Sequence, residues 1–106
     1  MTRRVKTLRK AEADIRSITN YLYKRSPQGA AAWLSAYRQA RIRLARNSES
    51  CSEADENEYF DMEVRHVFFK TRRGRLYRLL FTIVEDEVRI LRVRGSGQSP
   101  VGPEDL

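Results

Sequence analysis

The chain has 106 residues, 41% of them hydrophobic, and a formal net charge of +7. That length allows one modest core and no separate catalytic domain, and the hydrophobic share excludes disorder throughout. No apolar run approaches the ~20 residues of a membrane span, and the basic N-terminus lacks the apolar stretch of a secretory signal, so a cytoplasmic protein is expected.

The charge is unevenly spread. Residues 1–48 carry 12 Lys/Arg against 2 Asp/Glu, residues 49–63 carry 7 acids and no base, and residues 64–94 carry 9 bases against 3 acids. A basic body with one acidic loop implies an anionic partner, either nucleic acid or an acidic protein. Cys51 is the single cysteine. It cannot build a disulfide framework, and neighbouring carboxylates disfavour its thiolate, so no reactivity is expected of it.

In chain order, residues 3–8 read as a short first strand. Leu8, Ala11, Ile15, Ile18 and Leu22 then recur at helical spacing, predicting an amphipathic helix over about 10–24. Ser26 followed by Pro27 is an N-cap and a first helical residue. A second helix follows with Ala30, Trp33, Ala36, Tyr37, Ala40 and Leu44 on one side and Arg38, Arg41 and Arg46 largely away from it. Asn47 and Ser48 end it, and so short a connection makes an αα-hairpin. Residues 48–62 form a polar, acidic loop, either a shield for the arginines against nucleic acid or an uninvolved surface loop.

The remainder is β: residues 64–70, 75–84 and 87–94 are rich in Val, Ile, Phe and Leu. Glu85-Asp86 reads as a two-residue hairpin loop. Pairing Val84 with Glu87 sets Ile83, Phe81, Leu79 and Tyr77 opposite Val88, Ile90, Arg92 and Arg94 on a face toward the helices. Arg78/Val93, Leu80/Leu91 and Thr82/Arg89 then share the opposite face. That face is half apolar and needs a cover. Around Thr71–Gly74 the register stays open: a two- or four-residue loop turns His66 and Phe68 to the core, a three-residue loop Val67 and Phe69.

The order strand, helix, helix, three antiparallel strands resembles the RelE/ParE toxin superfamily. Ala11-Glu12-Ala13-Asp14-Ile15-Arg16-Ser17-Ile18, Tyr21-Leu22 and Arg25-Ser26-Pro27 are similar to its helical hairpin. Leu76-Tyr77-Arg78-Leu79-Leu80-Phe81 is similar to its central Tyr-Arg strand, and Val88-Arg89-Ile90-Leu91-Arg92-Val93 to its last strand. The resemblance implies an α+β fold: an N-terminal strand, an αα-hairpin and a three-stranded antiparallel meander, with the helices on one sheet face. Residues 1–95 form the domain and 96–106 a flexible tail. It also implies the toxin of a type II toxin–antitoxin pair, held by a cognate antitoxin, with DNA gyrase as the favoured target. The alternatives are a ribosome-dependent endoribonuclease acting on messenger RNA and a non-catalytic binding module or inactive toxin relative.

In the ribonucleases the arginine matching Arg78 supports a phosphate in the transition state, a role suited to a planar guanidinium. Lys70 and Arg72 resemble a basic pair of the RNA-cutting members, and His66, the single histidine, is a weak acid–base candidate beside Tyr77, Tyr59 and Lys70. Lys70, Arg72, Arg73, Arg75, Arg78 and Arg94 form the candidate target-binding set. Leu80, Leu91, Val93 and Arg89 form the candidate antitoxin surface. The ribonucleolytic relatives commonly place a Tyr or His near the C-terminus, whereas residues 95–106 hold no Tyr, His, Lys or Arg. This departure favours a toxin that binds and blocks. No metal-ligand spacing, cofactor motif or small-molecule substrate site is evident.

Overall fold

The computed structural model describes residues 2–96, 98 and 101–106. Strand β1 (Arg4–Thr7) leads into helix α1 (Arg9–Arg25), and Ser26 alone separates it from helix α2 (Pro27–Asn47). Ser26 serves both helices. Its N–H donates to the Leu22 carbonyl at 2.8 Å, closing α1, while its hydroxyl accepts the Gly29 N–H at 3.0 Å, opening α2. Satisfying two sets of orphan backbone groups at one residue makes the corner abrupt and folds the helices back on each other.

Strands β2 (Arg65–Phe69), β3 (Tyr77–Val84) and β4 (Glu87–Gly95) complete a sheet of order β1-β4-β3-β2, in which β1 runs parallel to β4 and the other pairs are antiparallel. Both helices cover one face. Ala11, Trp33, Tyr37, Ala40 and Leu44 meet Phe69, Tyr77, Leu79, Phe81, Val88, Ile90 and Val93 in the main core. Trp33 stacks on Tyr37 with centroids 5.8 Å apart and lies tilted or edge-on to Phe69 and Tyr77, each at 5.5 Å. Gly95 completes this corner, since a Cβ there would come within 3.1 Å of the Tyr77 ring.

Pairing of Phe69 with Tyr77 leaves a seven-residue connection, 70–76. Its odd length has the parity of the three-residue alternative, so Val67 and Phe69 face the core and His66 and Phe68 the opposite side.

The β3–β4 pairing departs from the simple register in its second half. Val84↔Glu87, Ile83↔Val88 and Phe81↔Ile90 hold as expected, but Leu80 then pairs with Arg92, Leu79 with Val93 and Arg78 with Arg94. Leu91 is the extra residue of a β-bulge. A bulge puts two successive side chains on one side and reverses the alternation beyond it. Val93 therefore belongs to the helix-side core and not to the opposite face, while Arg92 and Arg94 move to that opposite face.

That opposite face has its own cover. Leu80 and Leu91 pack with Ala54, Val64 and Val101 in a second core, flanked by Leu8, Phe60 and Leu106. The acidic loop is folded rather than plain coil: it contains 3-10 turns at Ser48–Ser50 and Asp55–Tyr59. Asn57 Oδ1 accepts the Val64 N–H at 2.7 Å, and the Ala54 N–H donates to the Val64 carbonyl at 2.8 Å. The flexible tail expected over 96–106 is, over 101–106, part of the body. Val101 is buried, Lys10 Nζ donates to the Leu106 carbonyl at 2.9 Å, and Arg92 Nη1 donates to the Asp105 carbonyl at 2.7 Å. Apolar contact and these ties hold the segment down. Gly97, Ser99 and Pro100 of the expected tail lie outside the described residues.

Candidate functional site

The face away from the helices gathers Arg78 (β3), His66 and Phe68 (β2) and Arg94 (β4). Register explains this: Arg78 pairs with Phe68 on one side and Arg94 on the other, and His66 pairs with the adjacent Leu80. Together with Asp55, Leu76, Tyr77 and Ser96 they line an open cleft of about 270 Å³.

Arg78 is not free within it. Its Nη1 donates to Glu56 Oε1 at 2.8 Å and its Nη2 donates to Glu56 Oε2, a two-pronged pair in which the carboxylate side chain is 1% exposed. The Val101 N–H donates to the same Oε2 at 3.0 Å. Burial works to raise the Glu56 pKa. The hydrogen bonds from Arg78 and from the Val101 amide outweigh it and bring the group down to about 2. His66 Nδ1 lies 3.3 Å from Arg78 Nη1. Burial first, and the Arg78 charge second, lower the His66 pKa, against the pull of Asp55 and Glu56. The imidazole stacks obliquely on Phe68, centroids 4.7 Å apart. Arg94 Nη2 sits 3.6 Å from Asp105 Oδ2, and its buried Nε has no partner among the described residues.

The other basic candidates stand apart. Lys70, Arg72, Arg73 and Arg75 are exposed on the 70–76 connection. Arg75 donates to the Ser96 carbonyl, whereas Lys70, Arg72 and Arg73 have no salt-bridge partner among the described residues. Of the other acid–base candidates, Tyr77 is buried in the aromatic cluster and Tyr59 is exposed on the loop.

The candidate antitoxin surface is changed most. Leu80, Leu91 and Val93 are 1%, 6% and 1% exposed, the first two under the chain's own loop and tail and the third under the helices. None of the three offers a docking surface in this conformation. Arg89 remains partly exposed and donates to Glu87 at 3.0 Å. Sequence reasoning also missed Glu56, which nothing distinguishes from the six other acids of its loop. The Cys51 thiol is raised in pKa, chiefly by burial, with the nearby Glu49 carboxylate acting the same way against Arg43 and Arg65. Among the described residues no group of three or more His, Cys, Asp or Glu is placed to hold a metal ion, and no helix is long and apolar enough to cross a membrane.

A strand, a helical hairpin and a three-stranded meander, with a Tyr-Arg pair opening the central strand, define a member of the RelE/ParE superfamily. Within it, the chain belongs to the family described as the ParE toxin of the type II toxin–antitoxin system parDE, whose model matches residues 5–100. A solved structure titled as the chromosomal ParDE toxin–antitoxin system from P. aeruginosa contains a similar chain. The two are 21% identical with a TM-score of 0.67, over 89% of this chain and 96% of that one. That likeness shows the fold. Comparison with curated protein sequences gives no match.

Proposed function

We propose that this toxin stops growth by binding and blocking an essential cytoplasmic target, DNA gyrase in first place, rather than by cutting messenger RNA. The observation that carries the reading is the occupied Arg78. Cleavage through a ribose 2′-hydroxyl needs a stabiliser of phosphate charge together with a proton acceptor and a proton donor. Here the guanidinium already serves a buried carboxylate. The one nearby imidazole has its Nδ1 turned to the guanidinium of Arg78. General acid–base help is worth ~10²- to 10⁴-fold in rate, so a site without a free pair cuts poorly. The exposed cations of the 70–76 connection instead suit contact with an anionic surface, Lys70, Arg72, Arg73 and Arg75 being the residues on it.

A cognate antitoxin is the expected partner, since the solved relative is titled as a toxin–antitoxin system. Its acids would face the exposed arginines, where charge complementarity sets the rate and specificity of association. The ribonuclease reading keeps one observation in its favour, the meeting of His66, Arg78 and Arg94 in a single cleft.

Induced expression tests the reading, with and without the neighbouring gene. Replication arrest and a DNA-damage response before any fall in translation, with inhibition of gyrase supercoiling by the purified chain, is the expected result. Early loss of translation with cleavage of ribosome-bound messages, abolished by Arg78→Ala, would reverse it. No growth effect in either arm would mark an inactive relative.

A further inference from the structure

Beside the second core lies a hollow of about 420 Å³, lined by Tyr59, Phe60, Asp61, Met62 and Leu106. Phe60 and Leu106 pack on that core, whereas Tyr59 is 57% and Met62 42% exposed. Apolar surface that runs from a core out to solvent, with charge around it, marks a contact surface rather than scattered exposure. The charge is of one sign. Glu53, Asp55, Glu58 and Asp61 are exposed, and none of them has a salt-bridge partner among the described residues.

A surface of matching shape and opposite charge is present on the same chain. Arg38, Arg41, Ile42, Ala45 and Arg46 recur at three- and four-residue spacing, which sets them along one side of α2. Arg38, Ile42 and Arg46 are exposed. Arg38 and Arg46 have no salt-bridge partner among the described residues. Arg41 meets only neutral oxygens, among them the Val5 carbonyl at 2.9 Å and the Tyr37 hydroxyl at 3.2 Å. An apolar side chain thus stands between guanidinium groups that no carboxylate of the described residues neutralises. The helices cover one face of the sheet and the acidic loop covers the other, so the two surfaces cannot meet within one chain.

We propose that the hollow receives the outer side of α2 from a second copy of this chain. Ile42 enters between Tyr59 and Met62, and Arg38 and Arg46 meet Glu58 and Asp61. Complementary potentials of this kind fix the register of a contact and exclude other partners. Each copy keeps one unused surface of each kind, so the contact is heterologous and repeats head to tail instead of closing at a dimer. The net charge of +7 on each copy opposes approach. At physiological salt the screening length of about 8 Å limits that repulsion, while pairs in contact lie inside it. Association is therefore weak and grows with concentration. The inference is independent of the toxin's target.

Sedimentation equilibrium of the purified full chain tests this. The mean mass is expected to climb past that of a dimer as concentration rises, with a Kd of about 10–100 μM for so small a contact. Salt of about 1 M, where the screening length is about 3 Å, should weaken association about tenfold. Ile42→Ser should weaken it about tenfold as well, through lost apolar burial. The deciding variants reverse charge. Arg38→Glu with Arg46→Glu subtracts two charges at each position and lowers the net charge from +7 to +3. General repulsion falls, yet this variant should stay monomeric. Glu58→Lys with Asp61→Lys should also stay monomeric. A chain carrying all four changes returns to +7 and should regain association, because each surface again faces its opposite. A monomer at every concentration overturns the proposal, as does association that survives the arginine reversals or strengthens with salt. Failure of the fourfold variant to associate overturns it too. If Arg46→Glu unsettles the end of α2, Arg38→Glu with and without Glu58→Lys decides by the same comparison.

Discussion

Asp14 on α1 and Arg92 on β4, 78 residues apart in the chain, meet in a two-pronged ion pair, Nε to Oδ2 at 2.8 Å and Nη2 to Oδ1 at 2.7 Å. The same Oδ2 accepts the Val93 N–H at 2.9 Å. Strand β1 pairs with β4 only as far as Ile90, so beyond it this carboxylate substitutes for a missing strand neighbour. Both side chains are 15% exposed. Asp14→Ala strands two donor groups at once and should cost about 2–3 kcal/mol, less than a fully buried pair because some water reaches it. Asp14→Asn, which keeps an acceptor, should lose about half of that. Urea unfolding of the two variants gives the comparison, and a loss under about 0.5 kcal/mol for alanine would show the pair to be incidental.

Acid should unfold the protein partly through Glu56. Its folded pKa of about 2 lies below the ordinary 4.5, so its contribution is complete above pH 4.5 and is lost as pH falls toward 2. The difference corresponds to about 3 kcal/mol. Glu49 and Asp105 are also held below their ordinary values, so the acid limb is shared. Glu56→Gln isolates the one group: its stability should vary less between pH 5 and pH 2 than that of the unaltered chain. Parallel curves would count against the assignment.

Leu80 and Leu91 lie under the chain's own cover, so their substitution should act on folding before it acts on any partner. Leu80→Ala should cost about 2–5 kcal/mol, the range for a buried leucine reduced to alanine. Leu91→Asp should prevent folding. A folded Leu91→Asp chain with normal stability but weakened antitoxin binding would contradict the buried placement.

Glu85 turns the β3–β4 hairpin with φ at 58°, a left-handed conformation that costs a side chain about 1–2 kcal/mol. Glycine carries no such penalty, although it adds freedom to the unfolded chain. Glu85→Gly should therefore stabilise by about 0.5–1 kcal/mol, seen as a rise of several degrees in the thermal midpoint. A fall in the midpoint would mean that the side chain holds the turn.

Arg72 and Arg73 are exposed and unpaired among the described residues. Replacing both with alanine should leave stability within about 0.5 kcal/mol, as at most surface positions. Growth inhibition on induction should nevertheless weaken. Full toxicity would move the target contact off this connection.

Local chemistry was readable wherever it acts through neighbours in the chain. Ser26-Pro27 announced the helical corner, the spacing from Leu8 to Leu22 announced α1, and Val84↔Glu87 set the first half of the last hairpin. Arg78 was legible as a residue of the helix-free face. What escaped depends on contacts far apart in sequence. Nothing about Glu56 among seven acids says that it alone is buried, and nothing in Asp14 points to Arg92. The half-apolar face was rightly read as needing a cover. Val101 and Leu106, in a stretch without strand or helix periodicity, gave no sign that the chain covers it itself.

Leu91, the extra residue of β4, changes what a single strand can serve. Before it, Val88 and Ile90 point into the main core; after it, Val93 does, and the arginines on either side of Val93 point the other way. One continuous strand thus spends its first half as an ordinary core element and its second half as a carrier of two guanidinium groups, Arg92 to the Asp14 anchor and Arg94 to the cleft. An uninterrupted alternation would drive both charges beneath the helices and lift Val93 into the cleft, so the fold and the candidate site share a dependence on chain length at one position. Removing Leu91 would delete a leucine in composition and exchange two faces in structure.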